Sequence, residues 1–78
     1  MPRYYFELDD GEFGFTDEEG SEHRDAREAG NEAIGALTHL AKDKLPNGDC
    51  RDFKVDVRDQ SGRLIFHGTL AFRGVWMR

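Results

Sequence analysis

The stretch DAREAGNEAIGALTHLAKDK, residues 25–44, carries the single helical periodicity of this chain. Its apolar residues recur at steps of three and four, which places them along one side of a helix. Asp25 and Glu28 have the spacing of a capping box, in which each residue satisfies a free backbone N–H of the first turn. Basic residues stand at the opposite end, where cations interact favourably with the helix dipole. The pattern predicts one helix over residues 26–44.

The apolar side of this helix is built from small residues in its first half. Such a surface allows close packing on a sheet that carries large aromatic side chains, although Gly30 and Gly35 each cost about 1 kcal/mol relative to alanine. The residues predicted to face the sheet are Ala26, Ala29, Gly30, Ala33, Ile34, Leu37, Leu40 and Ala41.

Alternating runs stand on both sides of the helix and predict strands. Before it, strands are expected at residues 3–8 and 12–16, joined by the turn residues Asp9-Asp10-Gly11. After it, strands are expected at residues 53–58 and 64–72. Within the last run, Gly68 indicates a bulge or a crowded position. A polar connection is expected at residues 17–21, and Pro46-Asn47-Gly48 is expected to end the helix.

This order predicts a single α+β domain over residues 1–78. Its elements follow β-β-α-β-β, with an antiparallel sheet of about four strands and one helix on one face. The order of the strands in the sheet stays open. A chain of 78 residues supports only a small core, so self-association is a reasonable expectation.

Charge is distributed unevenly along the chain. Residues 7–32 contain eleven acids and two bases, whereas residues 33–78 contain eight bases and five acids. This distribution fits either a solvated surface or a charged docking surface. No stretch reaches the roughly 20 apolar residues that cross a bilayer, and the N-terminus lacks a signal-peptide pattern. With a single cysteine, Cys50, these features favour the cytoplasm.

Several short segments together resemble a known family. They are MPRYYF (residues 1–6), Asp10-Gly11, Asp17-Glu18-Glu19-Gly20, Asp25 with Ala29 and Glu32-Ala33, Val57-Arg58-Asp59 and Gly62-Arg63. The resemblance is to a family of short bacterial proteins, the domain of unknown function numbered 6894. It implies a small stand-alone αβ protein without established activity or catalytic residues. This chain departs from the family pattern at His23-Arg24, which stand where an apolar residue usually precedes the helix cap, so a hydrophobic staple is not assured here.

The motifs needed for catalysis or for binding metals and phosphates are missing from the sequence. The acidic loops do not match the calcium-binding EF-hand pattern, and His23, His39 and His67 lack zinc-ligand spacing. Cys50 is expected in a loop without an adjacent base, and no glycine run has phosphate-loop spacing. We therefore expect no catalytic residue, no cofactor and no metal site, and we predict that the protein is not an enzyme.

The face of the sheet opposite the helix is the candidate interaction face. The first hypothesis is a non-enzymatic interaction or regulatory module that binds a protein partner or itself as a homodimer. The alternative is a nucleic-acid-binding regulator that uses the exposed bases and aromatics of this face. The third hypothesis, which has the least support in the sequence, is a small hydrolase or metal enzyme. The predicted face holds Arg3, Tyr5, Glu7, Lys54, Asp56, Arg58, Ile65, His67, Thr69 and Arg73; its key contacts are Arg3, Tyr5, Lys54, Arg58, Ile65, His67 and, from the tail, Trp76.

Overall fold

One helix and five strands make up the fold in the computed structural model, which describes residues 1–45 and 50–77. The helix spans the predicted residues, and the α+β class with an antiparallel sheet is confirmed. In chain order the elements are β1 (Arg3–Asp9), β2 (Gly14–Thr16), β3 (Ser21–Glu22), α1 (Ala26–Lys44), β4 (Cys50–Arg58) and β5 (Leu64–Arg73).

The strands follow the order β2-β1-β4-β5, and every pairing is antiparallel. Strand β3 also pairs with β1, at Arg3 and Tyr4, whereas β2 pairs with residues 7–9. One side of the sheet is therefore edged by two very short strands. The other side is edged by β5, which is ten residues long.

The core lies between α1 and the central strand β4. Phe53, Val55 and Val57 alternate along β4 and are the largest fully buried side chains. Ala29, Ala33, Leu37 and Ala41 of α1 cover them. Ala26 and Ile34 were predicted to join this side of the helix but are exposed. They lie beside Ile65 and Phe66 of β5, away from the buried centre of the sheet.

The N-terminus of α1 is capped by Asp25 as predicted, whereas Glu28 reaches back to Arg24, one residue before the cap. The Glu28 backbone N–H donates to the Asp25 carboxylate at 2.9 Å. The Glu28 carboxylate accepts hydrogen bonds from the backbone and side chain of Arg24, and these bonds hold its pKa below the ordinary value. The His23 ring stacks on Phe6, with centroids 5.8 Å apart, and so packs against β1.

Three local predictions differ from the structure. Strand β2 begins at Gly14 rather than at Glu12, and Ser21–Glu22 form a strand where a polar connection was expected. Strand β4 starts at Cys50, so this cysteine lies in a strand and not in a loop. The expected helix stop at Pro46-Asn47-Gly48 lies outside the described residues.

The turn after β1 is tied to β4 by the partly buried Arg51. The Asp10 carboxylate accepts hydrogen bonds from the backbone N–H groups of Phe13 and Glu12, at 2.8 and 2.9 Å. Arg51 donates from Nε to the Asp10 carbonyl at 2.7 Å and pairs with Glu12 at 3.2 Å. The two backbone donors, with the Arg51 charge, hold the pKa of Asp10 below its ordinary value of 3.8.

This depressed pKa predicts a specific acid sensitivity. A carboxyl group whose pKa falls on folding stabilises the native state above its unfolded-state pKa, and this contribution is lost as pH falls through the folded-state pKa. We expect Asp10→Asn to be less stable than wild type at neutral pH, with the difference shrinking as the pH falls below about 4. Urea unfolding at several pH values measures this difference. Asp43→Asn, at an exposed helix position, is the control; an Asp10→Asn deficit that grows in acid would contradict the account.

Candidate functional site

The outer face is the side of the sheet that α1 does not cover. Residues directly opposite each other in an antiparallel pair share a face, so the strand register defines its rows. One row holds Tyr5 and Arg58, and the next holds Glu7, Asp56 and His67. Five of the predicted contacts lie on this face: Arg3, Tyr5, Lys54, Arg58 and His67.

The charge of the outer face is balanced rather than basic. Because β1 and β4 are longer than predicted, the register adds Asp9 and Asp52 to the acids Glu7 and Asp56. Four acids therefore match the four bases Arg3, Lys54, Arg58 and Arg73.

Two of these bases already have partners within the protein. The Arg58 guanidinium donates to Glu7 at 3.0 Å and to the Gly62 carbonyl at 3.2 Å. Arg3 donates to the Glu19 carbonyl at 3.0 Å and pairs with Glu22 at 3.4 Å. Lys54 is exposed and forms no ion pair within residues 1–45 and 50–77. The outer face is thus a poor electrostatic match for phosphates.

Tyr5 is half-buried, because the loop before β3 folds over its ring. A Cβ atom on Gly20 would lie 2.8 Å from Tyr5 Cε2 and 2.8 Å from the Tyr4 carbonyl oxygen. Only a glycine, here with φ +76°, allows this approach. One side of the Tyr5 ring is therefore covered and is closed to a stacking base.

A carboxylate, an imidazole and a hydroxyl lie in series on the outer face. Asp56 Oδ1 lies 2.5 Å from His67 Nδ1, and His67 Nε2 lies 3.3 Å from Thr69 Oγ1. Asp56 and His67 border a hollow of about 210 Å³ that Glu7 and Asp9 also line. The order of groups resembles that of a nucleophile–base pair, but these acids would oppose the developing oxyanion of acyl transfer. The arrangement gives no support to hydrolysis.

Ile65 does not lie on the outer face, which corrects the predicted interaction face. The register pairs Val57 with Phe66 but Arg58 with Leu64, so Ile65 is an extra residue in a β-bulge. At Gly68 the sequence predicted either a bulge or a crowded position, and the second alternative is the one that the structure shows. Gly68 is a crowded position, where a Cβ atom would lie 3.3 Å from Val55.

The bulge turns Ile65 toward α1 and creates an apolar groove. We call this the α1–β5 groove. Ala26, Gly30, Ile34, Ile65 and Phe66 line it, and the polar residues Arg27 and Asn31 complete its lining. The first three of these residues, on α1, are spaced four apart and therefore follow one ridge. The groove has a volume of about 360 Å³, and Ile34 within it is 48% exposed.

Beside the groove runs the free edge of β5. Over the part of the chain that the structure describes, β4 is the only strand paired with β5. Natural edge strands are commonly protected by proline, lysine, inward-pointing charges or bulges, and in β5 the bulge lies near the start of the strand. The β5 sequence LIFHGTLAFR contains no proline, lysine or acid. Its unpaired backbone groups are therefore open to another strand.

The chain beyond β5, residues 74–77, is called the tail. Val75, Trp76 and Met77 are 81%, 87% and 86% exposed. Trp76 was predicted as an interaction anchor, and the structure places it at the end of β5, away from Tyr5 and Arg58 of the outer-face rows. Three consecutive exposed apolar side chains are unusual on the surface of a small domain.

Cys50 and the histidines do not come together. Arg73 Nη1 lies 2.8 Å from Cys50 Sγ, and Arg51, its chain neighbour, is directed at Asp10 instead. His23 packs on the core and His39 is exposed on α1. Among residues 1–45 and 50–77, no cluster of three potential metal ligands occurs. The helix α1, the one helix of the described residues, is not long and apolar enough to cross a membrane.

Comparison with known proteins gives one match. Residues 3–71 match the sequence model of a family described as Domain of unknown function (DUF6894). No curated protein and no solved structure matches the chain.

Proposed function

Because the chain belongs to the DUF6894 family, whose description assigns no activity, we propose its function from the geometry. The protein is a small, non-enzymatic, cytoplasmic interaction module that binds a protein partner or a second copy of itself. The partner contacts the free edge of β5 and the α1–β5 groove.

The observation that carries this proposal is the juxtaposition of these two features. A ten-residue strand edge offers backbone donors and acceptors, and an apolar groove lies directly beside it. Addition of a strand to a sheet uses this combination: the backbone supplies hydrogen bonds and the neighbouring pocket selects side chains. The opposite edge, formed by β2 and β3, has strands of three and two residues. It offers far fewer unpaired backbone groups.

Exposed apolar side chains support the same location. Ile34, Leu64 and Phe72 are 48%, 44% and 37% exposed, and all three lie on or beside β5. The tail extends this apolar surface. Phe13 and Phe15, near the opposite edge, are 73% and 63% exposed but lie beside a strand of only three residues.

The proposal predicts that a charge in the groove abolishes partner binding. Lysine at position 34 would place an ammonium group where the partner excludes water, and an unpaired buried charge is strongly unfavourable. We expect Ile34→Lys to reduce the recovery of a bound partner at least about 10-fold. The measurement is affinity capture of the tagged full chain from native extract after mild crosslinking, with quantitative identification of what is bound.

His39→Lys is the matched control, because it adds the same charge to an exposed position of the same helix. Circular dichroism should show that both variants remain folded. A partner held equally by Ile34→Lys and His39→Lys would contradict the proposed surface.

The same capture addresses the alternative proposal, a nucleic-acid-binding regulator acting through the outer face. Exposed Lys54 and His67 are the features that support it. Nuclease-sensitive material that is lost with Lys54→Glu but retained with Ile34→Lys would favour that alternative. Its affinity should also fall steeply with salt.

A further inference from the structure

The tail and the α1–β5 groove are two unfilled apolar features of the same protein. Of the nine large apolar side chains that are exposed in the described residues, six belong to the groove, β5 or the tail. They are Ile34, Leu64, Phe72, Val75, Trp76 and Met77. An apolar side chain that protrudes and an apolar groove that is open suggest a complementary pair.

Within one molecule this pair does not meet. The groove contains Ile65 and Phe66, at the start of β5, and the tail begins beyond Arg73, at its end. Phe66 and Arg73 lie roughly 23 Å apart along the strand. Val75, Trp76 and Met77 are 81%, 87% and 86% exposed, so the tail does not fill the groove of its own copy.

Antiparallel pairing of β5 with β5 of a second copy removes this separation. In such a pair the start of one strand lies beside the end of the other. In an antiparallel pair, the side chains of two directly opposite residues lie on the same face of the sheet. The two-fold axis must therefore pass between one residue and the same residue of the second copy. An axis at Leu70, near the middle of β5, would set Phe66 opposite Gly74 of the second copy, so the tail of that copy would begin beside the groove.

We propose that the partner is a second copy of this chain. The two β5 strands pair antiparallel about a two-fold axis, and the tail of each copy fills the α1–β5 groove of the other. This rests on the proposed function and adds the identity of the partner. The contact is isologous, so it closes as a dimer and does not propagate into a fibre.

The available surface is sufficient for such a dimer. A stable interface buries about 800 Å² per copy, and one large aromatic side chain buries about 200 Å². Trp76 alone would therefore supply roughly a quarter of the requirement. Val75, Met77 and Phe72, together with the backbone edge of β5, lie along the same contact. Strand β5 carries no acid, so no carboxylate is buried by the pairing.

Sedimentation velocity over a concentration series tests the proposal with purified full chain. Wild type is expected to form a reversible dimer. Trp76→Ala should raise the dissociation constant at least about 30-fold, the effect of losing one interface anchor. Phe13→Ala, which removes another exposed aromatic near β2, should change it less than about 3-fold.

Mixing two variants tests the exchange of tails directly. Ile34→Lys damages the groove and Trp76→Ala damages the tail, so each homodimer loses both tail–groove contacts. Their heterodimer keeps one intact contact, between the tail of the first variant and the groove of the second. We expect the mixture to associate more tightly than either variant alone.

A wild-type chain that stays monomeric, or a mixture no tighter than its components, would overturn the proposal. The proposed function is tested by a different result. If the purified chain is monomeric but a captured partner is still lost with Ile34→Lys, the β5 surface stands and the second copy is rejected. If Ile34→Lys changes neither dimerisation nor capture, both fail.

Discussion

Phe53→Ala is expected to destabilise the native fold by about 3–5 kcal/mol, the typical cost of deleting a buried aromatic side chain. Phe53 is 0% exposed at the centre of β4, and Leu70 lies opposite it on β5. The loss combines the missing transfer free energy with the cavity that remains. A domain of this length has a total stability of roughly 4–12 kcal/mol. The variant should therefore lose a large share of its folded population.

Thermal unfolding followed by circular dichroism measures this effect. We expect the Tm to fall by at least about 15 °C. Phe13→Ala is the matched control, because the same change is made at a residue that is 73% exposed. It should alter stability by no more than about 0.5 kcal/mol. Equal effects of the two substitutions would show that β4 is not the centre of the core.

Gly20→Ala is expected to cost at least about 3 kcal/mol, the second largest effect. Gly20 has φ +76°, which an alanine adopts at a cost of about 1–2 kcal/mol. The added Cβ atom would also lie 2.8 Å from the Tyr4 carbonyl oxygen, a backbone atom that cannot turn away. Relief of this clash must separate β3 from β1 or displace the Tyr5 ring.

Gly62→Ala separates the two causes. Gly62 has φ +86°, but a Cβ atom there would have no neighbour within 4 Å. We expect this control to show the conformational cost alone, about 1–2 kcal/mol. The difference between the two variants in urea unfolding then measures the contact of Gly20 with β1. A difference near zero would mean that the loop does not rest on Tyr5.

The helix could be predicted from sequence because its signals are local. The capping residues Asp25 and Glu28 and the spacing of the small residues depend only on positions a few residues apart. The class of fold follows from the same local periodicities. Strand order does not, since it depends on which distant segments pair.

The position of Ile65 shows why the candidate site was harder to predict. Alternation along β5 assigned Ile65 to the outer face, and the bulge reverses that assignment. A bulge adds one residue on one strand and leaves no clear mark in the sequence. The α1–β5 groove exists because of this reversal, so the pattern of alternating residues could not reveal it.

The balance of charge on the outer face was missed for a related reason. Asp9 and Asp52 join that face only because β1 and β4 extend beyond the alternating apolar residues from which the strands were predicted. The free edge of β5 did leave a signal. A ten-residue strand without proline, lysine or acid is protected only by the bulge near its start, and this composition points to a strand that pairs with another chain.

Amide hydrogen exchange of the purified full chain at low and high protein concentration tests the central claim most directly. If β5 pairs with a second copy, the unpaired amides of residues 64–73 should exchange more slowly as concentration rises. The amides of Gly14–Thr16, at the opposite edge, serve as the internal control and should not change. Exchange in β5 that is independent of concentration, or slowing confined to β2, would contradict the account.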